Sequence, residues 1–129
     1  MSIVIAYSPD IYGRAALEHA LAEARLRETS LVVVNVTRGD SLVDSHYAHE
    51  DEVQLVMDRL KAEGVDATVR RDVVPDIADA VLDVAAEEHA TLIVVGVRHR
   101  SAVGKMLLGS VAQRVILDAS CPVLAVKPS

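Results

Sequence analysis

Hydrophobic positions fall into short aliphatic runs separated by longer segments of helical spacing. Ile3 to Tyr7 is the first run, bounded by Ser8, Pro9 and Asp10, and it predicts a buried strand. From Tyr12 to Glu28 the apolar positions Ala16, Leu17, Ala20, Leu21 and Ala24 recur at helical spacing. Asp10 is placed to cap that helix, because its carboxylate can accept from free first-turn N–H groups. Leu31 to Val36 (LVVVNV) is the next strand.

Residues 37–48 are polar and irregular and predict a loop. Val53, Val56, Met57 and Leu60 then mark a second amphipathic helix, closed by Gly64 in a left-handed cap. Asp66 to Asp72 alternates and predicts a shorter, more exposed strand. Pro75 suits the first turn of a third helix, with Ile77, Val81, Val84 and Ala85 on its buried face. Leu92–Val95 is a strand, Val111–Ala119 a fourth helix and Pro122–Val126 a last strand.

The resulting order is β-α-β-α-β-α-β-α-β. Strands alternating with helices of this length imply right-handed crossovers and a parallel sheet. Such a sheet binds ligands beyond the carboxyl ends of its strands, where the winding direction reverses. No linker or repeat interrupts the pattern, so residues 1–129 read as one domain.

Composition sharpens this picture. Hydrophobic residues make up 51 %, yet there is no Phe or Trp and only three Tyr. Val, Leu, Ile and Ala must therefore fill the interior, as they do in parallel sheets buried on both faces. The net charge of −6 and the scarcity of aromatics argue against a nucleic-acid platform. The lone Cys121 forms no internal disulfide and fits a reducing compartment. The N-terminus lacks a basic region, and no run approaches the ~20 apolar residues of a membrane helix. A cytoplasmic protein with no membrane partner is expected.

The stretch Gly96 to Ser110, GVRHRSAVGKMLLGS, reverses the local sign of charge with Arg98, His99, Arg100 and Lys105. It lies between a buried strand and a helix. Glycines let a backbone approach an anion, and free N–H groups at a helix start favour negative charge. This is a candidate phosphate loop; a solvated loop with a capping glycine is the alternative. It is not a Walker loop, since Gly104-Lys105 is followed by Met106. Nor is it a dinucleotide fingerprint, because Ser8-Pro9-Asp10 follows the first strand without a glycine cluster.

Three passages together, IVIAYSPD…RAALEHALAEA, GVRHRSAVGKMLLGSVAQRVILDAS and CPVLAVKP, resemble the universal stress proteins of the UspA superfamily over essentially the whole chain. The nucleotide-binding branch of that family carries G-x2-G-x9-G-[ST]. Gly96, Gly109 and Ser110 match it in spacing, and His99 stands at the second glycine. Ser8 stands where the family has an Asp at the end of the first strand, with Asp10 two residues on.

The resemblance implies a doubly wound three-layer α/β sandwich, adenine-nucleotide alpha-hydrolase-like, with a five-stranded parallel sheet of order 3-2-1-4-5. It implies a site for ATP, alone or with Mg2+, formed by Ala6, Ser8, Asp10, Val36, Gly96, Arg98, His99, Gly109, Ser110 and Val111. In that site Ala6 lines the base pocket and the main chain of Val36 contacts the adenine. It also implies a homodimer paired antiparallel through Val123–Val126, acting as a stress-response sensor or regulator. Hydrolysis or autophosphorylation would be slow and secondary. An interaction protein of the same fold without nucleotide is the competing reading, and a true ATP hydrolase a third.

Other constellations are weaker. His46-x-x-His49 beside Asp44 and Glu50 has no defined metal spacing and reads as a solvated loop, so no metal site is assigned. His19 and His89 read as surface or helix-end residues, and Cys121 as a structural thiol. Ser110 has no G-x-S-x-G elbow around it, and no catalytic residue is assigned.

Overall fold

A computed structural model describes residues 1–39, 47–98 and 108–128. Among these residues the chain forms β1 (Ser2–Ala6), α1 (Ile11–Arg27), β2 (Ser30–Val34), α2 (Glu50–Ala62), β3 (Ala67–Arg70), α3 (Ile77–Glu87), β4 (Ala90–Gly96), α4 (Ser110–Asp118) and β5 (Val123–Val126). All strand pairs are parallel, in the order β3-β2-β1-β4-β5.

Alternation along the central strands builds two cores. Ile3, Ile5, Tyr7, Leu31, Val33 and Val94 face α1 and α2, where Ala16, Leu17, Ala20, Val56 and Leu60 close over them. Val4, Val32, Val34, Ile93 and Val95 face α3 and α4, meeting Ala78, Val81, Val84, Ala112 and Val115. Burial on both faces is why these strands are continuous aliphatic runs rather than alternating ones. The three-layer α/β architecture and strand order are those expected from the sequence.

Local chemistry fixes the helix ends. Asp10 caps α1, its Oδ1 accepting from the N–H groups of Tyr12 (3.1 Å) and Gly13 (2.9 Å). Gly64 follows α2 at φ +78°, with its N–H bonded to the Lys61 carbonyl and the Val65 N–H to that of Leu60. This 6→1 and 5→2 pair is a Schellman closure, which favours glycine. The third helix differs from expectation. Asp76, not Pro75, sets its start: the Asp76 carboxylate accepts from the Asp79 N–H at 2.9 Å, and Pro75 lies outside the helix. His89 ends α3 in a left-handed conformation at φ +50°. His19 is exposed on α1.

Three ion pairs join α1 to α2 and its C-cap Glu63: Arg14–Glu52 (3.2 Å), Arg25–Glu63 (2.9 Å) and a two-pronged Arg59–Glu18 contact (2.5 and 2.7 Å). They are largely solvent-exposed and add register more than stability. Cys121 is half-buried, and burial pushes its thiol pKa up, away from nucleophilic chemistry. Among the described residues no helix is long and apolar enough to cross a membrane.

Candidate functional site

β1 and β4 are neighbours whose following helices leave to opposite faces of the sheet. The gap between those departures holds a cleft of about 590 Å3 at the carboxyl ends of the strands. Its wall is aliphatic (Ala6, Val34, Val36, Ala78, Val81, Val95), and its rim is polar (Ser8, Asp10, Arg38, Asp76, Arg98, Ser110, Arg114). An apolar slot with convergent polar groups at the winding reversal is the usual design of a small-molecule site in this architecture.

One wall exposes a strand edge. In a parallel ladder the N–H and C=O of a residue point to the same neighbour, and successive residues alternate. Asn35 and Thr37 direct theirs to the β3 side, with Asn35 N–H on Arg70 O (3.0 Å) and Thr37 N–H on Asp72 O (3.0 Å). Val36 therefore directs its N–H and C=O to the β1 side, beyond the point where β1 has turned away into α1. Among the described residues neither Val36 group makes a backbone hydrogen bond. One donor and one acceptor side by side match the edge of a planar heterocycle such as adenine, which offers an acceptor next to an amino group.

The opposite wall is the start of α4. Its N-cap is Gly109, at φ +88° and ψ +146°, and among the described residues no side chain caps the helix. A side-chain residue would be strained in that conformation. Among the described residues the Gln113 N–H is taken up locally, by the Gly109 carbonyl at 3.0 Å. The first-turn N–H groups of a helix have no intrahelical partner, and the helix dipole makes this end positive. Here Gly109, Ser110, Val111 and Ala112 all line the cleft. α1 and α3, whose starts also border the cleft, are each capped by an aspartate. Among the described residues, the α4 start is the one of these three without a side-chain cap.

The turn from β1 into α1 carries Ser8, Pro9 and Asp10. Ser8 Oγ donates to Asp10 Oδ1 at 2.9 Å, so that oxygen accepts from Ser8, Tyr12 and Gly13 together. Asp10 thus serves as the cap, and the Ser8 hydroxyl is turned to it. On the α3 side, Arg114 links α4 to α3, bonding Asp79 and Asp118 and lying 3.7 Å from Asp76. Its two hydrogen-bonded carboxylates hold the guanidinium pKa above its ordinary value.

Every residue assigned to the site from the sequence borders this one cleft except His99, which lies outside the described residues together with Arg100, Gly104 and Lys105. Asp44 and His46 of the weak metal motif lie outside them as well. Sequence reading passed over Tyr12, Arg38, Asp76 and Arg114, which also line the cleft. Arg38 had a legible signal, since it follows a central strand at its carboxyl end. Asp76 and Arg114 had none, because the α3–α4 contact that brings them here is tertiary.

The universal stress protein family model matches residues 1–127. The chain belongs to the universal stress protein family. A universal stress protein of Mycolicibacterium smegmatis is 48 % identical over 126 residues, covering 98 % of this chain and 97 % of that one. Among solved structures, a universal stress protein from Archaeoglobus fulgidus superposes with a TM-score of 0.82 at 30 % identity, covering 98 % of each chain. An Archaeoglobus fulgidus family member in complex with dAMP superposes at 0.71 with 27 % identity, covering 98 % of each chain. A universal stress protein in complex with cAMP superposes at 0.70 with 26 % identity, covering 99 % of this chain and 98 % of that one. Adenine nucleotides are thus ligands of members of this family.

Proposed function

We propose that the cleft binds an adenine nucleotide, ATP foremost, and that the chain acts as a homodimeric sensor or regulator in a stress response. The observation that carries this reading is one cleft in which, among the described residues, the Val36 strand edge on one wall is unpaired and the Gly109-Ser110 helix start on another has no side-chain cap. The first suits the base, and the second suits phosphate. The relatives that hold dAMP and cAMP support the adenine end of this assignment. The basic residues Arg98, His99, Arg100 and Lys105 along the loop favour more than one phosphate.

In this reading Ala6 packs against the base, Val36 reads its edge, and Gly96, Gly109, Ser110 and Val111 surround the phosphates with Arg98 and His99. Asp10 and Ser8 shape the turn beside the ribose. Mg2+ would arrive with the phosphates, because Asp10 and Asp76 both serve as helix caps. The same engagement leaves neither carboxylate placed as a general base, so any hydrolysis is slow and secondary. β5 lies at the sheet edge with Ala125 exposed, which supports antiparallel pairing with a second copy. A cytoplasmic location completes the reading.

Native mass spectrometry of the purified protein tests both parts: a dimer carrying an adenine nucleotide is expected. A protein that binds no ATP·Mg at millimolar concentration overturns the nucleotide reading. One observation favours the alternative of a nucleotide-free interaction protein. Gly96 is required by the close approach of the Tyr12 backbone in α1, so that glycine would persist without a ligand.

A further inference from the structure

The β1–β2 ladder stops one bond short of where the backbone could carry it. Ala6 pairs with Val34, and the Tyr7 N–H still bonds the Val34 carbonyl at 2.9 Å. The next bond of a parallel ladder would run from the Val36 N–H to the Tyr7 carbonyl. That bond is not made. The Tyr7 carbonyl accepts instead from the side-chain Nδ2 of Asn35, at 2.8 Å. Asn35 is 1 % exposed, and its Oδ1 accepts from the Ala48 N–H at 2.9 Å. A donor is needed on one side and an acceptor on the other, which only the observed amide orientation supplies.

We propose that Asn35 is a positioning residue for base recognition: its amide occupies the Tyr7 carbonyl, ends the ladder, and leaves the Val36 N–H available in the cleft. This deepens the nucleotide reading and rests on it. Asn35 itself faces the α1–α2 side with Tyr7 and Ala48, whereas the Val36 side chain faces α3 and α4. It acts on the ligand through the backbone and does not touch it. The Ala48 bond adds a tie between the strand end and the segment entering α2.

A side chain at 35 without a donor would lose this effect. Asn35→Leu lets the ladder close, with the Val36 N–H moving onto the Tyr7 carbonyl. Asn35→Met likewise presents no donor to Tyr7, while its thioether sulfur keeps a weak acceptor for Ala48 without burying a charge, which guards against a variant that fails to fold.

Two measurements on the full chain test this. Hydrogen exchange on the nucleotide-free protein should find the Val36 amide unprotected in the parent and protected in Asn35→Leu. Calorimetry with ATP, GTP and inorganic tripolyphosphate should show ATP affinity falling about tenfold in both variants, the worth of about one hydrogen bond. Tripolyphosphate affinity should not change, and the preference for ATP over GTP should shrink. A protected Val36 amide in the parent overturns the proposal, as does a parallel loss of ATP and tripolyphosphate binding, which would mark a merely structural role. A parent that binds tripolyphosphate and no ATP overturns the nucleotide reading itself, and the exchange result separates that failure from the first.

Discussion

A Cβ placed on Gly96 would lie 2.4 Å from the carbonyl oxygen of Tyr12. The end of β4 and the first turn of α1 are therefore in backbone contact at the winding reversal, and glycine at 96 is what lets them meet. The contact also sets the width of the cleft between the two departing helices. Gly96→Ala must push α1 off the sheet. A loss of about 1–3 kcal/mol is expected, the usual range for overpacking. Urea denaturation checks it, and an unchanged midpoint would mean that the two backbones are further apart than described.

Gly109 works by conformation rather than by space. No described residue lies within 4 Å of a Cβ there, but its φ of +88° is strained for any side chain. Gly109→Ala should cost about 1–3 kcal/mol through the backbone alone. If α4 relieves the strain by fraying its first turn, nucleotide affinity should fall as well. Thermal melts and ATP titrations on the same variant separate the two effects.

Ser110 is exposed at the first position of α4, and no side-chain bond ties it to another described residue. Ser110→Ala should leave stability within about 0.5 kcal/mol of the parent. ATP affinity should fall roughly tenfold if the hydroxyl donates to phosphate. Equal ATP affinity in both proteins would remove Ser110 from the site.

Tyr7 gives the fold an alkaline limit. Burial, and then its hydrogen bond to Glu52 at 3.0 Å, push its hydroxyl pKa from 10.0 up to about 12. In the unfolded chain the phenol loses its proton first, at its ordinary value. The unfolded state therefore binds fewer protons between pH 10 and 12. The contribution to stability is full below pH 10 and is lost as pH rises through about 12. The ultraviolet difference titration between parent and Tyr7→Phe should have its midpoint near 12, and a midpoint near 10 would contradict the buried, Glu52-bonded hydroxyl.

Much of this was legible in the sequence because the signals are periodic and local. Aliphatic runs and i, i+4 spacings placed the elements, and Asp10 declared its cap through position and chemistry. Pro75 misled because its preference for a first turn is met equally well just outside the helix, where the Asp76 carboxylate takes over the capping. The family motif picked out Gly96 and Gly109 together, yet could not distinguish a glycine needed for close approach from one needed for a positive φ. That difference lies in what surrounds each of them.

By itself the sequence determined the order of strands and helices, the aliphatic cores and the glycine-serine helix start, since each depends on residues close together in the chain. Tertiary structure decided the rest. It set Tyr12 against Gly96, brought Arg114 of α4 to the α3 aspartates, and placed the Asn35 amide on the Tyr7 carbonyl across two strands. The pairs in those contacts lie 28 or more residues apart, and no local periodicity records them. Whether a strand bonds its neighbour or leaves an N–H for a ligand depends on which group reaches the carbonyl first, and only the packed sheet sets that distance.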